Sequence, residues 1–64
     1  MKPIKKPSRS LSFEDAITVW NMRLDGEIQS RIAARFDVNQ GRICEVLAGQ
    51  KHPGAEAAAR SSRN

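Results

Sequence analysis

Tyrosine is missing from this chain of 64 residues, and Phe13, Trp20 and Phe36 are its only aromatic side chains. A chain so short buries only about 60% of the surface it exposes when unfolded. One modest core fits, but a catalytic cleft with its own supporting shell does not. No nucleophile–base pair and no phosphate loop stands out, so no enzymatic activity is expected. Cys44 is the sole cysteine, which excludes an internal disulfide and suits a reducing cytoplasm. Together with the sole histidine, His52, it falls short of the four ligands a structural zinc usually takes. No metal or other cofactor is therefore expected. No apolar run approaches the roughly 20 residues of a membrane span. The opening Met1-Lys2-Pro3-Ile4-Lys5-Lys6-Pro7 is basic but has no apolar stretch behind it, unlike a secretory signal. These absences describe a cytoplasmic protein with no membrane association.

Charge is present but unevenly spread. The net charge is +4, and residues 1–10 alone carry Lys2, Lys5, Lys6 and Arg9 with no acid. Residues 11–52 hold five basic and six acidic side chains, and residues 53–64 hold Arg60 and Arg63 against Glu56. Basicity thus sits in the arms, around a nearly neutral middle. A polyanionic partner fits this distribution, as does a merely solvated tail. Pro3, Pro7, Ser8 and Ser10 among the charges mark residues 1–10 as a disordered arm.

Apolar periodicity predicts an all-α domain over residues 11–52. The first helix spans about 13–24, with Ser12 and Asp15 as a capping pair. Phe13, Ala16, Ile17, Trp20 and Leu24 form its stripe, with Trp20 in the core rather than stacked on a base, and Asp25-Gly26 ends it. The second helix spans about 27–36, with Ile28, Ile32, Ala33 and Phe36 inward. The third spans about 40–48, capped by Asn39, with Ile43, Val46 and Leu47 inward and Gly49 closing it. His52, read as a surface residue, then meets Pro53-Gly54, which stops the helix. The alanine-rich segment beyond has high helix propensity, but an isolated helix so short is marginal in water. Residues 53–64 are therefore expected to form a flexible tail.

Only Asp37, Val38 and Asn39 separate the second and third helices. So short a link forces a steep crossing. Small Ala33 lets the backbones approach, while Ile32, Phe36, Val38, Ile43 and Val46 fill the angle. Those six are the expected core, and they decide which face of the third helix stays outside.

The stretch from Ile32 to Gly49 resembles the helix-turn-helix of bacterial and phage repressors. That family places an alanine in the first helix, a glycine four residues later, an apolar turn residue and an inward Ile or Val. Ala33, Asp37, Val38 and Ile43 stand at these positions. Asp37 departs from glycine, but aspartate tolerates the left-handed backbone better than most residues. Asn39-Gln40-Gly41-Arg42 also resembles a group of small bacterial helix-turn-helix proteins with this sequence after the turn. The resemblance covers about residues 13–52.

It implies double-stranded DNA as the partner, with the third helix in the major groove. In phage repressors a glutamine opening the first motif helix binds phosphate and braces a glutamine near the start of the recognition helix. Gln29 and Gln40 match these two, with Ser30 beside the first. Glutamine can pair bidentately with adenine. Arg42, read as outward, could grip guanine or phosphate, or simply be solvated. Asn39 is a further phosphate candidate beyond its cap. Gly41 allows close backbone approach to DNA, or is merely tolerated in a first turn. Cys44 could touch a thymine methyl, act as a redox sensor or, as favoured beside Glu45, simply fill space, and Glu45 could accept from cytosine, exclude wrong bases or face water. Lys51 is a candidate phosphate contact, and Lys5, Lys6 and Arg9 add phosphate or minor-groove contacts.

The expected function is that of a small sequence-specific transcriptional regulator. One such unit reads few base pairs, so a homodimer on DNA is expected, with Val19 and Met22, taken as exposed on the first helix, or the alanine-rich tail as candidate dimer surfaces. A protein-interaction module, either antiactivator or adaptor, on the same helices is the alternative, favoured by the near-neutral middle. A recombination or excision accessory factor is a further one.

Overall fold

A computed structural model describes residues 10–63, and among these the structure is all-helical, with four helices and no strands. The basic arm expected over residues 1–10 lies almost wholly outside the described residues, and with it Lys5, Lys6 and Arg9.

Helix α1 spans Phe13–Leu24. Ser12 Oγ accepts from the Asp15 backbone N–H at 3.0 Å, and Asp15 Oδ2 accepts from the Ser12 N–H at 3.1 Å. The capping box is thus closed in both directions. Its buried face is Ala16 and Val19, both fully inaccessible. Val19, expected as an exposed dimer residue, lies three positions from Ala16 on the same face and belongs to the core. Met22 is half-buried against that core. Phe13 stays 43% exposed, while Ile17 and Trp20 pack on the core's edge.

Helix α2 spans Gln29–Phe36 and α3 spans Gln40–Leu47. The start of α2 falls two residues later than expected. The Glu27 N–H is drawn back to the Met22 carbonyl at 3.0 Å, and Ile28, extended at ψ 157°, becomes the N-cap. Ile28 is consequently 59% exposed rather than inward.

The first three helices end alike. The chain turns left-handed at Gly26, Asp37 and Gly49, and the next N–H reaches back five residues to a helix carbonyl. The lengths are 3.0 Å for Glu27 to Met22, 3.0 Å for Val38 to Ala33 and 2.9 Å for Gln50 to Glu45. Asp37, at φ 57° and ψ 45°, therefore does what glycine does at the other two ends.

Helix α4 spans Ala55–Ser62 and packs principally on α1. It overturns the expected flexible tail. The segment is too short to hold as a helix alone, but it is not alone. Ala55 and Ala59, one turn apart and fully buried, let it lie close on its neighbour. Glu56 and Arg60 pair at 3.0 Å along its outer side. Arg63 then clamps the end of α1, donating to Asp25 Oδ1 at 2.6 Å and Asn21 Oδ1 at 3.1 Å. The core runs from Leu11 through Ala16, Val19, Ile32, Ala33, Phe36, Ile43 and Val46 to Ala55. No described helix is long and apolar enough to cross a membrane.

Candidate nucleic-acid interface

The angle between α2 and α3 is filled as the apolar pattern dictates. Ile32, Ala33, Phe36, Ile43 and Val46 are buried, and Val38 is half-buried at the turn. Fixing Ile43 and Val46 inward fixes the rotation of α3. Its open face then carries Gln40, Gly41 and Cys44, with Ala48 just past the end.

Asn39 caps α3, its Oδ1 accepting from the Arg42 N–H at 3.1 Å. A Cβ on Gly41 would stand 3.1 Å from that same Oδ1. The glycine leaves room for the cap, a reason that neither of its expected readings contained.

Gln29, half-buried at the first position of α2, does face α3, but its hydrogen bond is not with Gln40. Its Oε1 accepts from Cys44 Sγ at 3.0 Å. Gln40 is exposed beside this pair, and Ser30 is exposed next to Gln29. The crossing thus gathers Gln29, Gln40 and Cys44 at one surface, with Ser30 the next residue along α2.

Arg42 and Glu45 do not point outward with them. Both lie on the flank of α3 and are half-buried, joined Nη1 to Oε1 at 3.4 Å. The Arg42 Nε is buried without an acceptor. Arg42 therefore lies on the flank of α3, half-buried, rather than on its outer face as expected. Glu45 stands three positions after it, so one flank carries both, whereas Gln40 and Cys44, four apart, share the open face. Lys51 is exposed beyond the end of α3. His52, expected on the surface, is half-buried at φ 53° and donates from Nε2 to the Leu11 carbonyl at 2.7 Å. Phe13 meets its ring edge-on, with centroids 5.9 Å apart.

The surface of α2 contributes exposed Arg31 and Arg35. Its N-terminus has no side-chain cap, leaving first-turn N–H groups open to an outside acceptor. Across residues 10–63, seven basic side chains balance seven acidic ones, so the excess positive charge of the chain lies in residues 1–9. Sequence reasoning missed the Gln29–Cys44 bond and the approach of Leu11 to His52, for both depend on which helices lie side by side.

No protein family, curated protein or solved structure matches this chain.

Proposed function

We infer that the protein is a small sequence-specific DNA-binding regulator, acting through a helix-turn-helix formed by α2, Asp37–Asn39 and α3. The observation that carries this is the left-handed backbone of Asp37 between two short helices. It stands where the repressor motif has glycine, and it leaves a polar, small-residue face on α3. Gln40 then reads a base edge in the major groove, and Gly41 and Cys44 permit close approach. The uncapped start of α2, with Gln29 and Ser30, takes a backbone phosphate. Lys51 and the basic residues Lys5, Lys6 and Arg9 supply further phosphate contacts. An eight-residue reading helix spans few base pairs, so the protein acts on two half-sites as a homodimer.

One observation favours a protein-interaction module instead. The open face of α3 bears no charged side chain, and residues 10–63 are electrically balanced. Selection of duplexes from a random pool by the full chain, followed by titration at two salt concentrations, separates the readings. DNA binding gives an enriched sequence and an affinity that falls steeply with salt. A protein-docking module gives no enriched sequence.

A further inference from the structure

A cavity of about 300 Å³ opens on the flank of α3, on the side of Arg42 and Glu45 rather than of Gln40 and Cys44. Its size is at the small end of the range for ligand sites, about 300–1,000 Å³. Leu11 and Val46 give it apolar wall, and Arg42, Glu45, Lys51 and His52 give it polar wall. The wall opposite α3 is held in place, because His52, in its left-handed conformation, donates to the Leu11 carbonyl at 2.7 Å. That bond puts the proton on Nε2, since a carbonyl only accepts.

The charge of the lining is positive, with Arg42 and Lys51 against Glu45. Glu45 satisfies Arg42 poorly. The Nη1–Oε1 separation of 3.4 Å is long beside the roughly 2.7–2.9 Å of a good charge-assisted bond. The Arg42 Nε is buried with no acceptor, although buried donors are nearly always paired. A guanidinium presents a fork of donors suited to a planar, two-oxygen acceptor. Here the fork stands half-used at the edge of a cavity with an apolar floor.

We propose that this cavity binds a small organic anion, with its carboxylate or phosphate on Arg42 and Lys51 and a short apolar body against Leu11 and Val46. Nε is enclosed in the observed conformation, so it gains an acceptor from the anion only as the side chain swings away from Glu45. The long contact to Glu45 leaves the guanidinium free to rotate towards the anion. The site does not rest on the DNA-binding reading. A phosphate of the DNA backbone is the other source of the same chemistry, and the test distinguishes the two.

The Arg42 Nε–H reports the event directly. In the ¹⁵N-labelled full chain, its cross-peak and the backbone amides are followed during separate titrations with benzoate, with the neutral isostere benzamide and with duplex DNA. Benzoate is expected to shift Arg42 Nε–H saturably, together with the amides of Leu11, Val46 and His52, and benzamide to leave them in place. Arg42→Gln should weaken benzoate at least about tenfold, as expected for loss of a charge-assisted pair. Glu45→Gln removes the competing carboxylate and should tighten benzoate binding, so the proposal stays testable if Arg42→Gln disturbs the fold. Absence of a saturable benzoate shift in the wild type, or equal shifts with benzamide, would overturn it. A response of Nε–H to duplex DNA but not to benzoate would overturn it too, by giving the anion to the DNA backbone.

Discussion

The carboxamide oxygen of Gln29 accepts from Cys44 Sγ at 3.0 Å, so the first residue of α2 is bonded to the fifth residue of α3. A thiol is a weak donor, and Cys44 is exposed, so this bond contributes little to stability. Its effect is positional: it orients the carboxamide of Gln29 across the helix crossing, next to the surface that carries Gln40.

If Gln29 is aimed by Cys44, the two residues act as a unit on DNA. Gln29→Ala and Cys44→Ala should each alter affinity for a selected duplex, and the double variant should be less than additive. Cys44→Ser keeps a hydroxyl donor and should lie closer to wild type than Cys44→Ala. Thermal melts of all four should agree within about 0.5 kcal/mol, the usual size of a surface effect.

The turn makes a separate prediction. Asp37 occupies a left-handed position that Gly26 and Gly49 fill at the other helix ends. Left-handed backbone costs most L-residues roughly 1–2 kcal/mol, whereas glycine's greater freedom when unfolded costs about 0.5–1 kcal/mol. Asp37→Gly should therefore stabilise by up to about 1 kcal/mol, which raises the melting temperature by several degrees in a chain this small. Asp37→Val, branched at Cβ, should destabilise by at least about 1 kcal/mol. Denaturant melts of the two variants check the sign of each.

At the start of α3, Asn39 and Gly41 compete for one space. Gly41→Ala gains about 0.5–1 kcal/mol of helix propensity but presses on the capping oxygen 3.1 Å from its new Cβ. Asn39→Ala alone should cost about 0.5–2 kcal/mol through loss of the cap. With the cap already gone, Gly41→Ala should become plainly stabilising. The double-mutant cycle measures this, and strict additivity would mean that cap and glycine do not share the space.

The fourth helix is held by contact, so its buried alanines should matter more than its exposed ones. Ala59→Lys pushes a long cation into the α1–α4 contact and should cost about 1–3 kcal/mol or more. Ala57→Lys, on the exposed side of α4, should change stability by no more than about 0.5 kcal/mol. Urea melts compare the pair directly, and equal costs would contradict the assigned packing.

What the sequence made legible, and what it did not, divides along local and non-local physics. The limits of α1 follow from Ser12, Asp15 and Gly26, all of which act within a few residues. The wedge of Ile32, Ala33, Phe36, Ile43 and Val46 follows from periodicity and a three-residue link. Helix α1 is apolar on two adjoining faces, and periodicity alone does not show that Val19 belongs to the core; the packing of the other helices on α1 decides it. The alanines of α4 carry almost no hydrophobic pattern; Ala55 and Ala59 are core residues only because α1 lies against them. Arg42 and Gln40 sit two positions apart, about 200° around a helix with 3.6 residues per turn. They cannot share one face, and fixing Ile43 and Val46 inward leaves that open face to Gln40 and Cys44.

The central claim is that the open face of α3 reads bases, and Gln40 is its exposed polar reader. The direct measurement is binding of Gln40→Ala to the duplex selected by the wild type and to its single-base-pair variants. The account predicts an unchanged melting temperature and a loss of about 1–3 kcal/mol of discrimination at one base pair. Wild-type affinity and wild-type discrimination in Gln40→Ala at every position would contradict it, and would show that α3 does not read DNA through this residue.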